Sequence, residues 1–156
     1  MIRVVLTVLV AVALLATSVP ALEDARTATT DERLQAESDR VERAIGGLAS
    51  ESMSVSDPAL AARTTVTVRA PSGVAAARID RLAIVEPERS VNGSGAALRY
   101  RIDGDRDRTI SIVPDAVTAT VGVVDGPIAL RTRGESRLEL RLVDDSGPTV
   151  KIARIG

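Results

Sequence analysis

Hydrophobic and polar positions follow three different rhythms along the chain. From Val4 to Leu22 nineteen residues pass without a charge, preceded by Arg3 and followed at once by Glu23 and Asp24. Such a run must meet lipid or be removed. At ~1.5 Å per residue it spans just under the ~30 Å hydrocarbon core of a bilayer, which predicts a membrane helix at the short end of the range. Arg3 and the terminal amine would hold that end in the cytoplasm, with the downstream chain outside. The alternative is a cleaved signal peptide, with an apolar region from Val4 to Ala16 and a cut after Ala21. Val19 and Ala21 supply the small residues needed at the third and first positions before that cut. Pro20 suits either reading, as a kink or a breaker. Both readings export residues 23–156.

A helical rhythm follows. Leu34, Ser38, Val41, Ile45 and Leu48 recur at three- and four-residue spacing, with Arg40, Glu42 and Arg43 on other faces. The pattern predicts an amphipathic helix, with Asp31 as its N-cap (Thr29 or Thr30 as alternatives) and Gly46–Gly47 as its stop. One reading is a stalk that continues the membrane helix and packs against a partner helix or the domain. The other is an ordinary helix covering one face of its own domain. Glu51 to Pro58, rich in Ser and closed by an Asp-Pro pair, has the composition of a linker.

From Arg63 the period becomes two, and turn signals recur at the interval of an all-β sandwich or barrel. Strands are predicted over Thr64–Arg69, Ile79–Val85, Ala97–Asp103, Thr109–Val113, Val117–Val124, Ile128–Arg133, Arg137–Val143 and Thr149–Ile155, while Val74–Ala77 has no assigned state. Ala97–Asp103 and Thr109–Val113 should form a hairpin through Asp103 and Gly104. The predicted fold is an N-terminal apolar and amphipathic α-helix followed by an all-β antiparallel sandwich of about seven to eight strands. The organisation is 1–22 anchor or signal, 23–50 helical stalk, 51–62 linker and 63–156 β-sandwich.

Composition narrows the chemistry. The chain is 45% apolar, yet Tyr100 is its one aromatic residue and it has no His, Cys, Trp or Phe. Imidazole bases, thiolate nucleophiles, disulfides and zinc clusters are therefore excluded. An exported domain without disulfides must depend on an aliphatic core, for which Leu98, Ile102, Leu138, Leu140 and Leu142 are the leading positions, with Tyr100 facing inward among them. Charge is divided: Glu23 to Ser52 holds eight acids and four Arg, whereas Arg63 to Gly156 holds twelve acids and fifteen bases. The basic residues alternate with apolar ones on strands, as on a solvated sheet face, and Lys151 is one of them. With no aromatic platform, neither base stacking on nucleic acid nor a sugar-binding cleft is expected.

Asp103, Asp105 and Asp107 alternate as calcium ligands do, because a hard cation needs several oxygens from one short turn. Arg106 lies between them, Arg108 follows where an EF-hand wants Gly, and Pro114 stands where it wants Glu, so the string predicts a solvated hairpin tip. Asn92, Gly93 and Ser94 form a sequon that makes Asn92 a possible N-glycosylation site if exported. Gly93 and Gly95 lack the third glycine of a phosphate loop. No hydroxyl has an activating neighbour. The sequence thus predicts no catalytic, cofactor or metal residues.

The order of a short basic start, an apolar helix running into an amphipathic one and an all-β head resembles type IV pilin-like proteins and archaellins. The Arg-rich, Lys-poor, Ala- and Val-rich composition is similar to that of small uncharacterised haloarchaeal membrane proteins. The resemblance implies a non-enzymatic cell-envelope protein, held in lipid through residues 4–22 and able to assemble with like helices.

Overall fold

The computed structural model describes residues 2–87, 95–115 and 117–156. A single helix, α1 (Ile2–Glu51), runs without interruption through the apolar segment and the amphipathic one, about 75 Å at 1.5 Å per residue. Eight strands follow: β1 (Ala62–Ala70), β2 (Ile79–Val85), β3 (Ala97–Ile102), β4 (Arg108–Ser111), β5 (Thr120–Val123), β6 (Ile128–Ala129), β7 (Gly134–Asp144) and β8 (Pro148–Arg154). They form two four-stranded sheets, ordered β1-β7-β8-β5 and β4-β3-β2-β6.

The expected helix boundaries at Asp31 and Gly46–Gly47 are not there. Thr29, Thr30 and Asp31 lie inside α1, and the helix passes both glycines to reach Glu51. A cap satisfies the free N–H groups of a helix start, and a helix already running from Ile2 has no start at Asp31. Gly46 and Gly47 each cost the helix ~1 kcal/mol relative to Ala, which burial of the flanking Ile45 and Leu48 outweighs.

The apolar stripe of the second half of α1 is buried against its own domain. Leu34 and Ile45 are fully inaccessible, Val41 and Leu48 nearly so, and all four belong to the single aliphatic core. The helix lies against β1 and β7 of one sheet and β4 of the other. Glu37 accepts the backbone N–H of Arg69 on edge strand β1 at 3.0 Å, and the Thr30 hydroxyl accepts the N–H of Ala77 at 2.8 Å. Ser52–Ala61 turns the chain from helix to β1, tied down where Asp144 N donates to the Val55 carbonyl at 3.0 Å.

The period-two pattern reads true in the strands. Leu98, Tyr100 and Ile102 of β3 and Leu138, Leu140 and Leu142 of β7 all face inward and are buried. The expected β3–β4 hairpin forms, with Leu98 opposite Ile110. Asp103 and Gly104 carry its turn at φ +45° and +75°, the left-handed pair of a type I′ turn. Two expected strands are shorter than their patterns, β5 within Val117–Val124 and β6 within Ile128–Arg133. Among the pairs of these eight strands, one is not antiparallel. β5 runs parallel to β8, with Val121 opposite Val150. β5 leaves through Val124–Pro127 to β6 of the other sheet, so no hairpin dictates its direction.

Candidate functional site

The first surface that could meet a partner is the N-terminal part of α1. The segment is long and apolar enough to cross a membrane, and none of its most apolar window is buried. Val4, Val5, Leu6, Val8, Leu9, Val10, Val12, Leu14, Leu15, Val19 and Leu22 are all more than half exposed. Two of its hydroxyls do not oppose a lipid environment. Thr7 donates to the Arg3 carbonyl at 2.9 Å and Ser18 to the Leu14 carbonyl at 2.7 Å, so each is satisfied within the helix. Pro20 sits inside the helix near the end of this segment. So continuous an apolar surface fits a membrane span or a signal sequence.

The second candidate is a polar cluster where α1 enters the domain. Asp31 of the helix accepts a hydrogen bond from the Arg108 guanidinium of β4, whose other terminal nitrogen reaches Asp105 at 3.1 Å. Tyr100, buried on β3, completes the cluster. Burial, and after it the neighbouring Asp31 carboxylate, pushes the Tyr100 hydroxyl above the ordinary tyrosine value. Asp105 is held below the usual carboxylate range by its bond to the Arg106 backbone N–H and then by Arg108. The cluster clamps helix to sheet. It holds no nucleophile beside a base, and its carboxylates are matched by a guanidinium.

Tyr100 makes this clamp measurable because it is the chain's sole tyrosine. Spectrophotometric titration of the tyrosinate band should show a midpoint above 10.0 in the folded protein, and Asp31→Asn should lower it. A raised folded pKa means that the unfolded chain loses the proton first. The associated stability is present below the ordinary value and lost as pH rises through the folded one. A midpoint unmoved by Asp31→Asn would contradict the clamp.

Two of the three alternating carboxylates of residues 103–107, Asp105 and Asp107, are taken up by separate cations. Asp107 accepts from Arg101 at 2.8 Å and lies 3.9 Å from Arg81, while Asp105 takes Arg108. Among the described residues no group of three potential ligands could hold a metal ion. Asn92 lies outside the described residues.

A third feature lies on the outer face of the β1-β7-β8-β5 sheet. Register places Arg63 opposite Arg141 and Arg141 opposite Lys151, three cations in one row across β1, β7 and β8. Directly opposed like charges destabilise a sheet. Here Glu139 meets Arg141 at 2.6 Å and Asp145 meets Lys151 at 2.8 Å, and the Lys151 ammonium holds the Asp145 carboxyl below its usual value. Beside the row is a groove of about 470 Å³, lined by Ser56, Pro58, Val124, Val143, Asp144 and Ala153 together with these paired charges. Lys151 is outward-facing, as its alternation with Val150 and Ile152 requires.

Three positioning residues escape sequence reasoning. Asp31 has the residue type of a cap, and neither Glu37 nor Glu86 carries a signal. Glu86 accepts the N–H of Val123 at 3.0 Å on the outer edge of β5, where Gly95 N also donates to the Val121 carbonyl at 2.9 Å. Both outer strands of this sheet therefore have edge groups engaged, β1 by the helix and β5 by the segment flanking β2 and β3. That closes the sheet to added strands at those positions.

A family model described as a domain of unknown function, DUF7311, matches residues 1–155. No curated protein and no solved structure matches the chain.

Proposed function

The chain is a member of the DUF7311 family, and from its own residues we propose that it is a non-enzymatic membrane-anchored cell-envelope protein carrying its β-sandwich at the outer face of a membrane. The observation that carries this reading is the continuity of α1. One helix has a lipid-compatible first half and a second half that is part of the domain core. Anchor and domain are thus joined without a flexible hinge, and lipid through residues 4–22 is the first partner.

The orientation, with the N-terminus cytoplasmic, rests on Arg3 and the terminal amine ahead of the span. A structural or binding role in place of catalysis is supported by the absence of His and Cys from the chain and by the pairing of the clustered carboxylates with Arg. Assembly with like helices, as in pilin-like proteins, is the further element of the reading. Against it, residues 4–22 hold no acid that could mark one helix for another.

The alternative is a secreted β-sandwich module released after Ala21. It is favoured by the small residues at Val19 and Ala21 and by the lack of any burial before Arg26 among the described residues. The mature N-terminus, read by mass spectrometry on protein from its native cells, separates the readings. Met1 or its neighbour is expected for the anchor, about Val4 for pilin-type processing and Leu22 for secretion. A uniform Leu22 terminus would overturn the anchored reading. A tag after Gly156 should be open to external protease in intact cells, and its protection would overturn the orientation.

A further inference from the structure

The chain between β1 and β2 runs from Ala70 to Ala77 as APSGVAAA, eight residues without a charge, bounded by Arg69 and Arg78. Its Val74 is 86% exposed, more than any other large aliphatic side chain described in the β domain. The loop does not face open solvent at random. Val74 and Ala75 form one wall of a cleft of about 290 Å³ whose other wall is Leu22, Ala25, Arg26 and Thr29 of α1, and Ala77 N is bonded to Thr30 at 2.8 Å. The loop is therefore held alongside the helix stretch that immediately follows the apolar span.

Geometry then fixes its height. If Leu22 marks the end of the hydrocarbon, residues 22 to 29 rise only ~10 Å above it, and the headgroup layer is ~5 to 7 Å deep on each side. A loop level with Leu22–Thr29 lies within or against that layer. The helix is anchored in the domain by Thr30 and Leu34, both fully buried, so the loop cannot withdraw without undocking the helix.

We propose that the β1–β2 loop, Pro71–Ala77, is a second membrane contact, with Val74 resting at the boundary between lipid headgroups and acyl chains beside the anchor helix. The inference rests on the anchored reading of residues 2–22. The occupant is lipid, because the loop is continuous with the lipid-exposed face of α1 and carries no charge that would demand water. The contact is apolar, so it should form on zwitterionic phosphatidylcholine and persist at high salt. It would hold the domain at a fixed tilt on the membrane surface, a consequence that the rigid α1 junction makes possible.

The chain has no Cys, so single-cysteine variants of the full-length protein report one site each. Val74→Cys, Met53→Cys and Val12→Cys would be labelled with an environment-sensitive fluorophore and placed in phosphatidylcholine nanodiscs. Nitroxide lipids would carry the quencher on the headgroup or deep in the acyl chain. Met53, 86% exposed just past the far end of α1, is the site remote from the membrane. The headgroup nitroxide should quench the label at position 74 several-fold more than the label at position 53, while the deep nitroxide quenches the label at position 12. Quenching at 12 with no difference between 74 and 53 would overturn the loop contact and leave the anchor standing. No quenching at 12 would overturn the anchor and the loop contact together. A label at 74 shielded from aqueous iodide yet untouched by the headgroup nitroxide would mean that a second copy covers the loop, and it too would overturn the lipid contact.

Discussion

Replacing Ile45 with Asp will abolish cooperative unfolding of the β domain, although Ile45 lies in the helix and not in either sheet. Its side chain is completely inaccessible and belongs to the same core as Leu138, Leu140 and Ile152. The substitution removes an isoleucine-sized volume, costing ~2 to 5 kcal/mol for comparable truncations, and leaves a carboxylate with no cation assigned to it in an apolar interior. The two effects together approach the whole of a small domain's stability of ~5 to 15 kcal/mol. Ala36→Asp, on the exposed side of the same helix, brings in the same charge and should cost under ~1 kcal/mol, mainly through helix propensity. Thermal melts of the two variants, followed by near-UV and far-UV circular dichroism in the same detergent, make the comparison. A melting temperature for Ile45→Asp within a few degrees of Ala36→Asp would show that α1 is a stalk leaning on the domain and not a part of its core.

Sequence alone does not decide this role, for a physical reason. The stripe Leu34, Ser38, Val41, Ile45, Leu48 is legible, since helical periodicity survives in any context. What it packs against is a long-range fact, and a narrow stripe fits a partner helix and a sheet edge equally. The buried Ser38 on that stripe satisfies itself by donating to the Leu34 carbonyl at 3.0 Å, so its presence tells nothing about the surface opposite. The same limit explains Asp31. Its residue type favours a cap, but its actual partner, Arg108, is 77 residues away. Local chemistry points to the nearest backbone, and the fold supplies a different neighbour.

The sheets are more legible because alternation specifies which side chains face inward, whatever the strand order. Leu138, Leu140 and Leu142 need only the period of two to be placed in the core. Strand direction is another matter: hairpins announce themselves through turns such as Asp103–Gly104, whereas β5 crosses to the other sheet and acquires its parallel neighbour β8 without any local mark. The candidate sites divide in the same way. The carboxylates Asp103, Asp105 and Asp107 are visible in sequence, but the two arginines that take up Asp107, Arg101 and Arg81, come from β3 and β2. The edge-capping carboxylates Glu37 and Glu86 reach across 32 and 37 residues to bond backbone N–H groups, and a surface glutamate has no sequence feature that foretells such a bond.

A chain beginning at Leu22 will stay in solution without detergent and will unfold at nearly the same temperature as the full chain. Ile2 to Ala25 contribute no buried residue among those described, and the first fully buried side chain of α1 is Thr30. Cutting before Leu22 therefore removes apolar surface without opening the core. Nucleating an isolated helix is costly, but residues 30–48 are docked on the sandwich and can template the turns before them. The new start also places Glu23 and Asp24 in the first turn, where each acid interacts favourably with the helix dipole by ~0.3 to 1 kcal/mol, offsetting some fraying. The expected loss of stability is under ~1 kcal/mol, or a few degrees in melting temperature for a domain of this size. The change in lipid affinity should be large, because eleven of the more-than-half-exposed large apolar residues lie at Ile2 to Val19. Flotation on a density gradient with phosphatidylcholine vesicles gives the readout. The full chain should rise with the lipid and the shortened chain should remain at the bottom, folded by circular dichroism. A shortened chain that aggregates or melts many degrees lower would show that the apolar segment contributes to the fold, and one that still floats would place the membrane affinity elsewhere in the domain.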